Sequence, residues 1–154
     1  MEFIKRQRNS HITLIVRIEK EGSMYKIERK SSGYLLTFGG FIDQDEMARW
    51  VEESRSVLLS ETKSQFGVIV DMRTLSPLTP DTQELMVKGQ QLYKDKGMKR
   101  SAVVLNNPMT TMQFKRLAKE SGIYAFERYI DASKTANWSG AAVAWVRDGK
   151  DPDA

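Results

Sequence analysis

Cysteine is absent from the 154-residue chain, and histidine occurs once, at His11. The lack of cysteine excludes disulfides, thiolate metal sites and cysteine nucleophiles. A single histidine excludes zinc sites built on several histidines and leaves little room for a Ser-His-Asp triad. No apolar run approaches the ~18 residues of a membrane-spanning helix, and the longest one near the N-terminus covers only residues 12–16. We therefore expect no metal site.

The composition is that of an ordinary folded domain. Hydrophobic residues make up 40% of the chain and charged residues 29%, which excludes a disordered or fibrous protein. A length of 154 residues suits one domain and is sufficient for a substantial core. The N-terminus lacks the long apolar segment and the small-residue cleavage site of a secretory signal, so we expect a cytoplasmic protein.

Residues 1–23 differ from the sequence that follows, and they carry five Lys or Arg residues against three Glu residues. Two interpretations remain open. In the first, they form a basic N-terminal arm with a short strand over residues 11–19 that pairs on a sheet edge. In the second, translation starts at Met24 and residues 1–23 are a misread leader, because Lys-Glu-Gly at positions 20–22 can be encoded by a purine-rich ribosome-binding sequence.

Strand and helix signals alternate from residue 24 onwards. Alternating or continuous apolar residues predict five strands, at residues 25–29, 34–38, 67–72, 101–105 and 124–130. Apolar residues at helical spacing predict four helices, which begin near residues 43, 80, 110 and 133. In the third helix, we expect Met112, Leu117 and Ala118 to face inward.

Two of the helix starts carry local signals. Asp43 followed by Glu46 resembles a capping box, in which the two side chains bond each other's backbone N–H groups. Thr79 precedes Pro80, and a threonine N-cap followed by proline at the first helical position is a common helix start. Gly97 is placed to end the second helix.

The predicted element order is β-β-α-β-α-β-α-β-α. A hairpin followed by three α-β units predicts an α/β domain with a mixed five-stranded sheet, in which the hairpin is antiparallel and the later strands are parallel. No internal repeat or linker divides the chain. We expect one domain over residues 24–149 with covering helices, and a polar tail over residues 150–154.

This order of motifs resembles that of a STAS domain, the fold of bacterial anti-sigma-factor antagonists. The resemblance covers residues 24–149 and rests on four segments: GGFIDQDEM, VIVDMRTLSPLTP, RSAVVL and FERYIDASKTANWSGAAVAWV. The chain is more similar still to SpoIIAA-like proteins of unassigned role, which are grouped with lipid-exchange CRAL-TRIO domains.

The resemblance implies a non-enzymatic bacterial regulatory module that binds a protein partner, with a homodimer as one form of that interaction. The relation to CRAL-TRIO domains implies an alternative, the binding of a small apolar ligand or lipid, which a dry pocket lined by methionine and aromatic side chains would favour. Neither function requires a cofactor. An enzyme that uses Asp71 and Arg73 is a third hypothesis, which we disfavour because no second catalytic group can be named.

STAS domains that are switched by phosphorylation carry a serine at the start of the second helix. Counting from Asp71, Pro80 occupies that position here, so the nearby Thr79 and Ser76 are the candidate phosphosites. A phosphate on Thr79 would lie at a helix N-terminus, where backbone N–H groups favour anions. A purely structural cap is the preferred explanation of Thr79.

Four polar residues are placed to line a crevice at the sheet edge. Asp71 and Arg73 come at the end of one predicted strand, and Asn106 and Asn107 leave the next. Ligands of open α/β sheets bind outside the carboxyl ends of the strands. The alternative, which we favour, is that Asp71 accepts hydrogen bonds from backbone N–H groups of residues 73–78 and pairs with Arg73.

The other charged residues show no catalytic pattern, and no glycine-rich phosphate loop occurs. Basic residues gather around the end of the second predicted helix and along the third: Lys94, Lys96, Lys99, Arg100, Lys115, Arg116 and Lys119. Nucleic-acid binding would need exposed aromatic residues among them, so we expect no nucleic-acid partner. An acidic protein or an anionic lipid surface fits better, although a solvated face explains these residues without any ligand.

Overall fold

The computed structural model describes residues 2–5, 17–20, 24–60 and 65–154, with side chains from residue 24 onwards. The strands β1 (Glu2–Lys5) and β2 (Arg17–Lys20) pair antiparallel in a separate two-stranded sheet. Of the strand expected over residues 11–19, residues 11–16 lie outside the described residues. The part that is described pairs with β1 and not with an edge of the main sheet.

Five further strands form one mixed sheet, as the sequence predicts. They are β3 (Tyr25–Lys30), β4 (Gly33–Gly40), β5 (Phe66–Leu75), β6 (Met98–Leu105) and β7 (Glu127–Asp131). Their order across the sheet is their order along the chain. β3 pairs antiparallel with β4, and all later pairs are parallel. The predicted α/β class, the element order and the mixed sheet are therefore confirmed.

Four helices cover the two faces of this sheet unequally. They are α1 (Gln44–Leu59), α2 (Pro80–Asp95), α3 (Pro108–Ser121) and α4 (Trp138–Asp148). Because the strand order is sequential and crossovers share one hand, the three crossover helices α1–α3 lie on the same face. The last helix follows the last strand and packs on the opposite face, against β5, β6 and β7.

The larger core lies between the sheet and α1–α3, and its centre is aromatic. The Trp50 ring stacks on Tyr93 with the ring centroids 5.8 Å apart, and Phe38 meets Trp50 edge-on at 5.1 Å. Gly89 on α2 makes this arrangement possible, because a Cβ atom there would lie 2.0 Å from Trp50 Cζ3. α1 and α2 thus approach closely over a single glycine.

A second, smaller core lies between the sheet and α4. Its buried residues are Ala102, Val104, Ile130, Ala142 and Trp145. The Trp145 indole N–H donates to the Ser101 carbonyl oxygen at 2.9 Å. The Arg128 guanidinium stacks on the same ring, 4.3 Å from its centroid. Gly67 lets α4 approach β5 because it lacks a side chain, and a Cβ atom there would lie 3.0 Å from Val146 Cβ.

The helix starts agree with the sequence only in part. The Asp43 carboxylate accepts the Glu46 backbone N–H at 2.9 Å, as a capping box requires. The Glu46 carboxylate does not complete the box, because it accepts the backbone N–H of Met24 instead. Thr79 stands at the N-cap position of α2, but its hydroxyl bonds the Thr82 hydroxyl at 3.0 Å and caps no backbone N–H.

Two predicted boundaries near the C-terminus are wrong. Residues Tyr124–Phe126 form a 3-10 helix, so β7 begins at Glu127 rather than at residue 124. The last helix begins at Trp138 rather than at residue 133. The reason for the second error is local: the Asp131 carboxylate accepts both the N–H and the hydroxyl of Ser133, and Asn137 then caps the helix through the Gly140 N–H.

Within the described part of the chain, no helix has both the length and the apolar character needed to cross a lipid bilayer.

Candidate functional site

Strands β4 to β7 all run in the same direction and therefore end at the same side of the sheet. We call this side the carboxyl edge and define it by the segments that follow these strands, residues 41–43, 76–79, 106–107 and 132–137. Open α/β sheets bind ligands and partners at such an edge.

Asp71 and Arg73 form a closed pair, by which we mean that both Asp71 carboxylate oxygens accept hydrogen bonds from Arg73. The Arg73 guanidinium donates to both carboxylate oxygens of Asp71 at 3.0 Å, and the Arg73 backbone N–H donates to Asp71 Oδ1 at 3.1 Å. The hydrogen bond to Asp71 raises the pKa of Arg73. The guanidinium also lies 4.1 Å from the centroid of the Trp138 ring. Of the backbone N–H groups of residues 73–78, that of Arg73 is the one recorded as a donor to Asp71, and the pairing with Arg73 is present.

Asp71 is not at the end of its strand, because β5 continues to Leu75. The two asparagines come after the end of β6, and Asn107 has a structural role of its own. Its carboxamide oxygen accepts the N–H groups of Met109 and Thr110 at 2.8 and 3.2 Å and caps α3. Among the described side chains, no hydrogen bond or ion pair joins Asp71 or Arg73 to Asn106 or Asn107.

The candidate phosphosites Ser76 and Thr79 are both exposed at the carboxyl edge. Their loop is held firmly on either side. The Ser76 backbone N–H donates to the Gly40 carbonyl at 2.9 Å, which places Ser76 next to the end of β4. On the other side, the Gln113 carboxamide exchanges two hydrogen bonds with the backbone of Leu78, at 2.8 and 3.1 Å.

Besides Met24, which is 44% exposed and packs against Gly40, three large apolar side chains are exposed at this edge. Phe41 is 58% exposed, Met109 65% and Met112 73%. The loop of Ser76 and Leu78 connects them, since Gly40 precedes Phe41 and Gln113 follows Met112. The sequence predicted Met112 to be inward, which is wrong because Phe114 occupies the core position of this turn and is fully buried. Residues two apart on a helix point in different directions.

A groove runs beside α4 on the other face of the sheet. It encloses about 390 Å³ and has an apolar floor and wall formed by Leu35, Ile69, Val143 and Val146. Asp71 and Trp138 lie at one end. The groove lies between α4, which packs over β5, β6 and β7, and the neighbouring part of β4 that no described helix covers on this face. Its volume falls within the range of small-molecule sites.

The methionine-lined cavity in the larger core is much smaller. It measures about 30 Å³, and its wall includes Met72, Met86, Met98, Trp50 and Phe114. Such a volume is enough for about one water molecule and not for an organic ligand. The pocket that would have favoured a lipid binder is thus not found in the larger core of the described domain.

Glu127 is a buried acid that sequence reasoning missed. It is 4% exposed, and its carboxylate accepts the hydroxyl groups of Ser101 and Tyr129, both at 2.7 Å. Burial raises the pKa of Glu127 to about 7, although the two hydrogen bonds oppose the shift. The only sequence signal was a charged residue within the aromatic strand FERYI, and its partner Ser101 is remote in the chain.

Across the described residues, no three acidic or histidine side chains gather in a way that could hold a metal ion. No family model matches the chain, and a comparison with curated proteins likewise found no match.

Proposed function

We propose that this protein is a STAS-like, non-enzymatic regulatory module that binds a protein partner through its carboxyl edge. The observation that carries the proposal is the exposure of Phe41, Met109 and Met112 at one edge of an otherwise well-packed domain. Exposed apolar clusters with polar surroundings are characteristic of interaction sites, and methionine adapts its shape to a partner.

The site suits reversible regulation. Ser76 and Thr79 are exposed between the aromatic and the methionine parts of the apolar surface. A phosphate on either hydroxyl would add a charge of about −1.5 to −2 and disfavour the burial of the neighbouring apolar side chains. The hydroxyl of Thr79 bonds only the Thr82 hydroxyl, so its modification would not remove a backbone cap.

The closed Asp71–Arg73 pair supports the non-enzymatic character of the proposal. Both carboxylate oxygens of Asp71 already accept hydrogen bonds from Arg73, so the pair has a structural role that needs no substrate. In this role the pair, together with Trp138, positions the start of α4.

The test is the double substitution Met109→Ser/Met112→Ser. We expect it to abolish binding of the partner that the unaltered protein retains from its own host, and to reduce self-association measured by sedimentation equilibrium if that partner is a second copy. The matched control is Leu59→Ser, which removes an apolar side chain of similar exposure, 63%, at the end of α1 on the opposite side of the sheet. Equal loss of binding in the control would contradict the proposal.

A second candidate function is the binding of a small apolar ligand, and the groove beside α4 is the observation that favours it. The test is titration with a fluorescent fatty-acid probe. We expect Leu35→Asp to weaken binding at least about tenfold, because it places a charge on the apolar floor. The control is Thr37→Asp, on the same strand and face but outside the groove. Equal affinities of the two variants would count against this function.

A further inference from the structure

The side of the sheet opposite the carboxyl edge carries a different surface. We call it the amino edge and define it by the turn between β3 and β4, the C-terminal ends of α1 to α4, and the segments that connect α2 to β6 and α3 to β7. Six exposed lysines lie on this edge: Lys30, Lys94, Lys96, Lys99, Lys119 and Lys150. They come from four separate segments of the chain that the fold brings to one side.

Two contacts show how segments of the amino edge that carry basic residues meet in space. Lys94 Nζ lies against Gly122, where a Cβ would be 2.9 Å away, which places it beside the last turn of α3 that carries Lys119. Arg100 lies against Gly149, at 3.0 Å from the corresponding Cβ position, and donates to carbonyl oxygens at the end of α4, next to Lys150. The fold therefore brings Lys94 close to the α3 end that carries Lys119, and Arg100 close to Lys150, on the same side of the sheet.

None of the six lysines forms an ion pair with a carboxylate of the described residues. Three of the nearby acids pair with arginines, Glu120 with Arg116, Asp148 with Arg147 and Asp151 with Arg128. Asp95, between Lys94 and Lys96, is exposed and offsets one of the positive charges, which leaves the lysines in excess. Two of the lysines, Lys94 and Lys119, complement helix C-termini, but this role does not account for the other four.

Two exposed side chains add an apolar component at the same edge. Leu59, at the end of α1, is 63% exposed, and Tyr124, between α3 and β7, is 41% exposed. A tyrosine ring with an aliphatic side chain among lysines is the composition that favours a membrane–water interface. By contrast, the exposed charged residues at or beside the carboxyl edge include Asp43, Asp81 and Asp131.

We propose that the amino edge binds the surface of an anionic phospholipid bilayer. Lysines act as point charges on flexible stems, which suits a diffuse negative surface better than the paired geometry for which arginine is used. Single-stranded nucleic acid would need several stacking aromatics along a groove, and here Tyr124 is the aromatic side chain exposed among the lysines in the described residues. Docking by this edge leaves the carboxyl edge directed away from the bilayer and free for a protein partner.

The experiment is co-sedimentation of the full chain with vesicles. We expect binding to vesicles that contain phosphatidylglycerol, no binding to vesicles of phosphatidylcholine alone, and release at high ionic strength. The double substitution Lys96→Gln/Lys99→Gln should weaken binding about thirtyfold, because each lysine near an anionic surface contributes about a fivefold gain in affinity. The control Lys88→Gln/Lys134→Gln removes the same charge from residues outside the amino edge and should change affinity less than about threefold.

Equal binding to both kinds of vesicle, or no binding to either at low ionic strength, would overturn the proposal. The same conclusion follows if the two double variants lose affinity equally, or if duplex DNA or polyglutamate binds the protein while anionic vesicles do not. Met109→Ser/Met112→Ser should leave vesicle binding unchanged, which separates this surface from the one proposed for the protein partner.

Discussion

The carboxyl group of Glu127 is almost completely shielded from water. Its two hydrogen-bond donors, Ser101 and Tyr129, are hydroxyl groups, and no cation is within ion-pairing distance among the described residues. A buried carboxyl group without a cation is more easily accommodated in its neutral form. The folded protein therefore binds a proton at Glu127 more tightly than the unfolded chain does.

This difference makes stability depend on pH in a defined direction. The pKa of Glu127 rises from its usual value of 4.5 to about 7 on folding, so the contribution of this group is most favourable below pH 4.5 and is lost as pH rises towards 7. The pKa difference corresponds to about 3 kcal/mol. Glu127→Gln should remove this loss, so that the variant gains stability relative to the unaltered protein between pH 5 and pH 8.

Urea unfolding at several pH values measures this effect. The control is Glu120→Gln on the exposed surface of α3, which should follow the pH dependence of the unaltered protein. If the Glu127→Gln variant and the unaltered protein show parallel stability curves from pH 5 to pH 8, then the carboxyl group does not titrate in this range.

Asp71 and Glu127 also show what could be inferred from the sequence about individual residues. The partner of Asp71 is Arg73, two residues away on the same strand, so reading the local sequence was enough to suggest the pair. The partner of Glu127 on β6 is Ser101, 26 residues earlier, and only the parallel register of β6 and β7 brings the two together. Long-range register is not encoded in a local pattern.

Among the secondary-structure elements, the contact between α1 and α2 depends on a residue without a side chain. Gly89 lies in the middle of α2, where glycine disfavours a helix by about 1 kcal/mol relative to alanine. Its presence is explained by Trp50, whose ring occupies the space of the missing Cβ. Packing and helix propensity therefore oppose each other at this position.

The substitution Gly89→Ala tests whether the packing effect or the helix-propensity effect on stability is larger. Helix propensity alone predicts stabilisation by about 1 kcal/mol. We expect net destabilisation by about 1–3 kcal/mol, because the Trp50 ring is held between Phe38 and Tyr93 and has no free space to move into. The free energy of unfolding in urea measures the difference. Lys88→Ala, at an exposed neighbouring position, is the control and should be close to neutral. A Gly89→Ala variant that is more stable than the unaltered protein would show that the Trp50 ring shifts to make room for the added methyl group.

The elements themselves were largely predictable, and their ends were not. Apolar spacing located all five strands and four helices of the main domain, because burial on one face imposes its period on the sequence. The start of α4 was missed because Ser133 and the residues after it suit a helix as well as the turn that the Asp131 side chain stabilises. Met112 is predicted to be inward because methionine is compatible with both core and surface, whereas the buried face of α3 runs through Phe114, Leu117 and Ala118.

At the scale of the whole molecule, the two faces of the sheet are unequally covered. Three helices and the Trp50 cluster enclose one face, whereas α4 covers part of the other through a small set of buried residues. Local unfolding occurs where few apolar contacts must be broken. We therefore expect α4 to separate from the sheet at a lower free energy than the three crossover helices.

Native-state hydrogen exchange measures this difference directly. Backbone amides of Trp138–Asp148 should exchange faster than those of α1–α3 under the same conditions. Trp145→Phe removes the hydrogen bond to the Ser101 carbonyl and should accelerate exchange in α4 further, without changing exchange in α1. Protection of α4 equal to that of β6 would show that the two cores open together.

The sequential order of the strands has a consequence for synthesis. Each strand from β4 to β7 pairs with the strand that immediately precedes it in the chain. A polypeptide that leaves the ribosome N-terminus first thus always presents the edge that the next strand requires, and no strand waits for a partner that has yet to be translated. The domain can be assembled vectorially, one strand and one crossover helix at a time, with α4 closing the second face at the end.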